Sequence, residues 1–368
     1  MPRLITLILT LFVVGACAPR ASLLDPVSDA PTSQLETVFV GTTRALSDTA
    51  EPLERKPELT LNRYLINVPS SREEGVIPYP GRGEDPDPEQ HFLLADAQTG
   101  LSKGGFRSAV SSALRNTPNA RDTLVVYVHG YNNTFADGLF RTAQMRRDLN
   151  IPGIPVHYAW PSAGHPLGYA YDRDSALFAR DGLEQLLKTI AATHARDIIV
   201  VAHSMGSLVT MEALRQIHLT NDQRTISKIS GVILLSPDLD LDVFRAQAAR
   251  IDPLPNPFLI FTSQRDRALA VSARITGQTA RLGNLTSVED VADLDVTLID
   301  LSNVEIGAGD AFNHFTAATS PAVIQILRQV GQVSSSFDAD PNAGLGLLPG
   351  TVLSIRNATQ VILTPGSP

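Results

Sequence analysis

Apolar and polar positions follow two alternating periods after residue 123, and the changes of period predict the order of the elements. Continuous apolar runs are typical of strands covered on both faces of a parallel sheet. Such runs occur at Leu124–Val128, Pro155–Ala159, Ile198–Ala202, Gly231–Leu235, Phe258–Phe261 and Val296–Asp300. Between them, apolar residues at helical spacing occur near 134–149, 173–194, 205–219, 240–250 and 267–276, with a last segment near 320–333. This alternation predicts an α/β fold, a mainly parallel sheet with helices on both faces.

The flanking parts of the chain follow other patterns. Glu36–Val40 and Asn62–Val68 are two strand candidates with no helix between them, which predicts an antiparallel N-terminal edge. Residues 71–90 are crowded with Gly, Pro, Glu and Asp, which favours a mobile surface loop. The main domain is therefore expected over residues 35–335. Residues 336–368 are expected to form a C-terminal extension with a small hairpin at 351–364.

Residues 1–16 have the pattern of an export signal. A positive Arg3 precedes an apolar run, Leu4–Val14, that is too short to span a membrane as a helix. The run ends in Val-Gly-Ala-Cys, which resembles the lipobox of bacterial lipoproteins and would make Cys17 the lipid-bearing first residue. Residues 17–34 would then be a tether, and the protein would be anchored in the bacterial cell envelope, facing the periplasm. The alternative interpretation is a short buried helix with a chance cysteine.

Composition narrows the function classes. The net charge of −8 argues against nucleic acid as a partner. Cys17 is the single cysteine, so no disulfide can form within the chain. The sequence has neither a His-Glu-x-x-His motif nor a cysteine cluster, so no metal and no cofactor are expected. The sequence leaves the oligomeric state open.

The most informative segment is Asp-Ile-Ile-Val-Val-Ala-His-Ser-Met-Gly at 197–206. A strand pattern ends at Ser204 and a helical pattern follows at once. A serine on such a turn is exposed at the carboxyl edge of the sheet, where a helix N-terminus directs N–H groups at a developing oxyanion. Ala202 and Gly206 supply the small residues that the turn needs, although the usual signature has glycine at both positions. Ser204 is the candidate nucleophile; the alternative is a serine that caps an ordinary helix.

A serine hydroxyl needs a base, normally a histidine, and in this architecture the chain order is serine, acid, histidine. Of the eight histidines, only His218 and His314 follow Ser204. His218 belongs to the helical pattern directly after the serine. His314, in Ala-Phe-Asn-His-Phe between the last strand and the last helix, is therefore the expected base.

The acid that orients the histidine is expected after a later strand, at the edge where open α/β sheets bind ligands. Asp266 is preferred, because its strand is the nearest in sequence to the loop of His314. Asp238 and Asp240 are alternative acids, and capping of the next helix is their other possible role. Asp300, at the end of the last strand of the series, is a further candidate.

An oxyanion hole needs two fixed N–H donors. The backbone N–H of Met205, directly after the nucleophile, is one. The other is expected in His-Gly-Tyr-Asn-Asn at 129–133, where Gly130 lets the backbone turn inward. The backbone N–H of Tyr131 is the predicted second donor, and His129 is expected to hydrogen-bond structurally.

Six motifs occur in a fixed order along the chain. They are Val-His-Gly-Tyr-Asn at 128–132, Ala-Trp-Pro-Ser-Ala-Gly at 159–164, Ala-His-Ser-Met-Gly at 202–206, Ser-Pro-Asp-Leu-Asp at 236–240, Ser-Gln-Arg-Asp-Arg-Ala-Leu at 263–269, and His314. In this order they resemble the α/β-hydrolase superfamily. More narrowly, the chain is similar to a family of bacterial esterase- and lipase-like proteins of unknown function, over residues 36–333. The resemblance implies a triad of Ser204, Asp266 and His314; Ser207 and Asn313 depart from the family's usual residues without touching that triad.

The expected function is hydrolysis of a carboxylic ester, from a small molecule or a lipid, through an acyl-enzyme. The segment between the strands that end at 235 and 261 has only about 22 residues, which is too short for a large lid. It therefore favours small or surface-presented esters. Two alternatives remain, an envelope lipase or phospholipase and a non-catalytic, lipid-anchored binding protein.

Overall fold

The protein is described here by a computed structural model. It describes residues 26–45, 54–81, 83–117, 120, 122–150, 152–277, 281–304, 350–355 and 358–363. The expected signal peptide, Cys17, His314 and the helix expected near 320–333 lie outside these residues. Among the helices that are described, none is both long enough and apolar enough to cross a membrane.

The described strands form a single eleven-stranded sheet. They are β1 (Leu35–Arg44), β2 (Arg55–Asn67), β3 (Leu93–Gln98), β4 (Thr123–Val128), β5 (Ile154–Ala159), β6 (Asp197–His203), β7 (Ile229–Leu235), β8 (Phe258–Thr262), β9 (Thr297–Asp300), β10 (Gly350–Ile355) and β11 (Ala358–Leu363).

Helices fill most of the connections. The α-helices are α1 (Lys103–Asn116), α2 (Phe135–Asp148), α3 (Tyr169–Ala191), α4 (Gly206–Leu219), α5 (Gln223–Ile226), α6 (Leu241–Ala248) and α7 (Arg267–Ile275). Short 3₁₀ turns occur at Thr32–Gln34, Leu282–Asn284 and Val288–Val291.

The spatial order of the strands is β10-β11-β9-β8-β7-β6-β4-β5-β1-β2-β3. Neighbouring strands from β11 to β1 pair in parallel, whereas β10 pairs antiparallel with β11 and β2 pairs antiparallel with both β1 and β3. This confirms the predicted parallel sheet with an antiparallel N-terminal edge. The hairpin at the other end joins the same sheet through β11 and β9.

The order of the strands reverses at β4, and this reversal positions the site. The chain goes from β4 to its neighbour β5 on one side, then crosses back to place β6 on the other side of β4. Val128 at the end of β4 pairs in register with Ala202 of β6 and with Tyr158 of β5. Open α/β sheets bind ligands in the crevice outside the carboxyl ends of strands at such a switch point.

The core lies on both faces of the sheet. In β6, Ile198 and Val200 pack into the cluster that includes Leu186 of α3 and Leu208 of α4. Val201, which points the other way, packs into a second cluster on the opposite face. Since alternate strand residues face opposite sides, a strand buried on both faces needs the continuous apolar run seen in the sequence.

The apolar pattern missed α1, because glycines and serines, which are poor helix formers, interrupt it. This helix begins where the Ser102 side chain accepts the Gly105 N–H at 3.1 Å, an N-cap. Phe106, Val110 and Leu114 bury one face in the main core. Tertiary packing therefore stabilises a helix that its composition disfavours. The short edge strand β3 was also missed, because it mixes apolar and polar residues.

The segment at 71–90, for which composition favours mobility, is tied to α2 by a buried ion pair. The Arg72 guanidinium contacts the Asp148 carboxylate, and their side chains are 6% and 3% exposed. Asp148 Oδ2 also accepts the Gly75 N–H at 2.7 Å and the Gln144 amide at 2.5 Å. Burial acts to raise the pKa of Asp148, but these hydrogen bonds and the Arg72 charge lower it overall. Buried contacts therefore hold the start of this segment at Arg72 and Gly75.

Candidate active site

Ser204 forms the turn between β6 and α4 together with Met205. Its φ is +52°, in the left-handed region, which costs a residue with a side chain roughly 1–2 kcal/mol. Its N–H donates to the Leu235 carbonyl of β7 at 3.0 Å, and its carbonyl accepts the Ser207 N–H at 3.0 Å. A capping serine has extended backbone, and the N-cap of α4 is Met205. The geometry of position 204 is therefore that of a sharp strand-to-helix corner.

Two glycines allow the corner to pack directly against the end of β4. A Cβ at Gly206 would lie 2.6 Å from the Val128 carbonyl oxygen and closer still to that of His129. A Cβ at Gly130 would lie 2.8 Å from the Ser204 Cβ. Because no side chain fits at either position, the backbone of the 129–133 loop touches the serine corner itself. The sequence signal for both contacts was the small-residue pattern.

His129 joins the loop after β4 to the loop after β5. Its Nε2 lies 3.0 Å from the Trp160 carbonyl oxygen, and its ring stacks on the Trp160 indole at 4.9 Å between centroids. The Trp160 indole N–H donates back to the His129 carbonyl at 2.7 Å. Burial holds the pKa of His129 well below its ordinary value, so the ring is neutral. These contacts fit a structural role. The neighbouring His157 is also neutral, since burial lowers its pKa to about 3.

The expected oxyanion loop has a defined backbone at Tyr131 and Asn132. Asn132 has a φ of +59°, and its N–H donates to an Asp172 carboxylate oxygen at 3.1 Å. The Tyr131 hydroxyl donates to the Pro166 carbonyl, and its ring packs edge-on against Tyr169 at 5.4 Å. The Tyr131 side chain is thus held by the loop after β5. The backbone of its own loop, at 129–133, places Gly130 against Ser204.

A buried carboxylate, Asp172, and a buried guanidinium, Arg44, lie behind this loop, and the sequence did not reveal either of them as part of the site. Asp172, fully buried in the first turn of α3, accepts the Ala163 N–H and the Ser162 hydroxyl, each at 2.6 Å. Burial raises the pKa of Asp172, and the hydrogen bonds and Arg44 oppose that shift. Burial lowers the pKa of Arg44 to about 10, with Asp172 opposing, so Arg44 is charged at neutral pH. No sequence signal singled out Asp172, because six other charged residues occur in the same helix.

Asp266 lies at the carboxyl end of β8, as expected, and begins α7. It is 2% exposed, and its Oδ1 accepts the Leu269 N–H at 3.0 Å. One strand, β7, separates β8 from β6, so at about 4.8 Å per strand the two ends lie roughly 10 Å apart. Strand ends at this separation leave room for an imidazole between side chains that extend from them. The expected bridge, His314, lies outside the described residues.

Asp238, an alternative acid, is committed to a buried network. Its Oδ1 accepts the Ser272 hydroxyl at 2.5 Å and lies 3.2 Å from the Arg281 Nε. Its Oδ2 accepts the Tyr169 hydroxyl at 2.9 Å. The side chains of Arg281 and Asp238 are 1% and 3% exposed, so each neutralises the other's buried charge. Asp238 thereby joins α3, α7 and the segment at 281.

The other two carboxylates at this edge have local partners. Asp240 caps α6 by accepting the N–H groups of Asp242 and Val243 at 3.0 and 3.1 Å. Asp300 accepts the Ser302 N–H at 2.8 Å. Among the described residues, no group of three or more His, Cys, Asp or Glu side chains could hold a metal ion.

The contact at Gly206 predicts a large effect of a single methyl group. We expect Gly206→Ala to destabilise the protein by about 3 kcal/mol or more, because the new Cβ meets backbone carbonyls of a central strand. Gly104→Ala is the matched control: a Cβ there meets nothing within 4 Å, and alanine favours a helix by about 0.5–1 kcal/mol. Urea unfolding measures both variants. Equal stability of the two would show that the close approach at position 206 does not constrain the fold.

Several solved structures resemble the chain at low identity. The esterase Est22 has 12% identity and a TM-score of 0.39, with 83% of each chain covered. A Pyrococcus furiosus esterase, Pf2001, has 12% identity and a TM-score of 0.35, covering 86% of this chain and 99% of that one. Aspergillus fumigatus lipase B has 13% identity and a TM-score of 0.32. That match covers 50% of this chain, which spans only 46% of lipase B.

Family membership rests on a different comparison. No protein with a curated description matches the chain. The model of one family, described as "Alpha/beta hydrolase of unknown function (DUF900)", matches residues 104–330. This range covers more than half of the chain and contains both the Ser204 corner and the oxyanion loop. The resemblance drawn from the six motifs is thereby confirmed at the level of the family, and the chain belongs to these α/β hydrolases of unknown function.

Proposed function

We propose that the protein is a serine hydrolase that cleaves carboxylic esters through an acyl-enzyme intermediate. The observation that carries the proposal is the corner at Ser204, a serine held at positive φ at the switch point of the sheet. Strained residues with side chains persist only where the surrounding structure fixes them, and they cluster at functional sites. The loop of Gly130, packed on the Ser204 Cβ, supplies that constraint here.

The proposed reaction has two steps. His314 accepts the hydroxyl proton of Ser204 while the serine oxygen attacks the ester carbonyl carbon, and the N–H groups of Met205 and Tyr131 stabilise the oxyanion. The C–O bond to the alcohol breaks, and His314, oriented by Asp266, returns the proton to the leaving alcohol. Water, deprotonated by His314, then attacks the acyl carbon. The bond from that carbon to the Ser204 oxygen breaks, His314 returns the proton to the serine oxygen, and the acid is released. Side chains, backbone N–H groups and water supply each of these steps, so the proposal invokes no metal or cofactor.

The connection between β7 and β8 supports a preference for small or surface-presented esters. Residues 236–257 contain the eight-residue helix α6 and two loops, with no larger inserted subdomain. A site without a lid at this position is accessible to short-chain esters without prior opening.

The nucleophile can be tested with a fluorophosphonate probe, which labels activated serines. We expect wild type to be labelled and to hydrolyse p-nitrophenyl butyrate, and Ser204→Ala to lose both properties. Ser236→Ala is the matched control, because Ser236 also follows a strand, has a φ of +44° and donates its N–H to the next strand, at 3.1 Å. Unlabelled, inactive wild type would favour the non-catalytic binding protein. If Ser236→Ala loses the labelling and Ser204→Ala keeps it, the nucleophile is Ser236.

The choice of acid is testable by comparing two Asp→Asn variants. We expect Asp266→Asn to lower kcat by about 10³-fold with little change in stability, because the histidine loses its orienting partner. We expect Asp238→Asn to keep kcat within about 10-fold but to destabilise the fold by roughly 3–5 kcal/mol, since Arg281 stays buried without a counter-charge. Both kcat and urea unfolding are measured. The reverse pattern would assign the acid role to Asp238.

We also propose that Cys17 carries a lipid that anchors the protein in the cell envelope. We expect Cys17→Ser to move the protein from the membrane fraction to the soluble fraction of a bacterial host that lipidates exported proteins. Ser22→Ala, a change in the same tether, should leave it in the membrane fraction. Cys17→Ser protein that still sediments with membranes would contradict lipidation at this residue.

A further inference from the structure

We propose that Asp172 is a positioning residue that fixes the oxyanion-hole loop through the N–H of Asn132. The proposal rests on the proposed function, because the loop matters for catalysis only if Ser204 is the nucleophile. It concerns a residue on α3, more than 30 positions before Ser204 in sequence, and it assigns that residue a role in the hydrolysis itself.

Two N–H groups of the loop already have hydrogen-bond acceptors. The Asn132 N–H donates to Asp172 Oδ2 at 3.1 Å, and the Asn133 N–H donates to the Ser162 hydroxyl oxygen at 3.1 Å. Neither amide can therefore serve an oxyanion without breaking one of these hydrogen bonds. In the proposed reaction the loop's donor is the Tyr131 N–H.

Hydrogen bonds hold two successive peptide planes of the loop. The peptide between Tyr131 and Asn132 is held at both ends, because Asp172 accepts its N–H and the Asn133 side-chain amide donates to its carbonyl at 2.9 Å. In the preceding peptide, the Gly130 carbonyl lies 2.9 Å from the His129 Nδ1 and accepts from the Asn133 amide at 3.3 Å. A trans peptide directs its N–H opposite to its carbonyl. With the carbonyl held, the direction of the Tyr131 N–H is set.

Asp172 is itself held by hydrogen bonds. Its Oδ1 accepts the Ala163 N–H and its Oδ2 accepts the Ser162 hydroxyl, so the loop after β5 fixes the carboxylate. Arg44 of β1 donates to the Asn133 carbonyl at 3.2 Å and to the Ser162 carbonyl at 2.8 Å. The carboxylate and the guanidinium thus join the ends of β1, β4 and β5.

A carboxylate is suited to hold the Asn132 N–H, because hydrogen bonds to a charged acceptor are stronger than those to a neutral one. Asn132 sits at a positive φ, a conformation that asparagine tolerates but that needs support. Donors held rigidly before reaction stabilise the transition state without the cost of reorganising. Asp172 therefore acts through the loop and does not touch the substrate.

The test compares Asp172→Asn and Asp172→Ala with Asp174→Asn, an exposed carboxylate two residues further along α3. With p-nitrophenyl butyrate we expect kcat to fall about 10-fold in Asp172→Asn and about 100-fold in Asp172→Ala, with KM within about 3-fold. The Ki of a trifluoromethyl ketone, whose adduct with serine places an oxyanion in the hole, should rise in parallel with the loss of kcat. Asp174→Asn should match wild type.

Hydrogen exchange supplies a readout that does not need activity. We expect the amides of residues 130–133 to exchange at least about 10-fold faster in Asp172→Asn than in Asp174→Asn. Folded Asp172→Asn with wild-type kcat, Ki and exchange would overturn the proposal. So would lowered stability with unchanged kcat and Ki, which is the signature of a merely structural residue. If Asp172→Ala does not fold, Asp172→Asn carries the comparison alone.

The two proposals fail in different ways. If wild type shows neither esterase activity nor serine labelling, the proposed function fails. The exchange data then decide separately whether Asp172 fixes the loop. If wild type is active, Ser204→Ala is inactive and Asp172→Asn behaves as wild type, only the role of Asp172 is lost.

Discussion

The carbonyl oxygens of Val128 and His129 occupy the space that any side chain at position 206 would need. Because position 206 has no side chain, the start of α4 packs directly against the end of β4. The chain turns from β6 into α4 within two residues, so Ser204 takes a left-handed conformation and Met205 is the N-cap of the helix. The geometry of Ser204 thus follows from a close approach of two backbone segments.

The polar groups behind the corner are buried to an unusual degree for ionisable side chains. His129 and His157 are neutral because burial lowers their pKa values. Arg44 stays charged at neutral pH although burial lowers its pKa to about 10. Burial raises the pKa of Asp172, and the hydrogen bonds from Ser162, Ala163 and Asn132, with a smaller contribution from Arg44, oppose that shift. In such surroundings a hydrogen bond is stronger than in water, and an unpaired group is costly. Buried and half-buried hydrogen bonds therefore join the loops after β4 and β5.

Local patterns predicted the parts of the fold that depend on local physics. Continuous apolar runs identified β4 to β9 because each of these strands is buried on both faces, and small residues identified the corner at Ser204. The pairing of Arg44 with residues near 133 and 162 leaves no local trace, because its partners are about 90 and 120 residues away. For the same reason the sequence did not reveal the contacts of Asp238, an alternative acid, to Tyr169 and Arg281. The pattern also missed α1, which owes its stability to packing.

The chain enters the sheet far from Ser204. The Val27 N–H donates to the Leu94 carbonyl at the start of β3. This hydrogen bond and the start of β1 at Leu35 lie at the same edge of the sheet, the amino-terminal edge of its parallel strands. Ser204 lies at the opposite edge, and the seven residues of β6 separate the two edges by roughly 20 Å or more. The described chain therefore enters the sheet at the edge opposite Ser204. A ligand can approach the Ser204 edge without meeting the segment through which the chain enters.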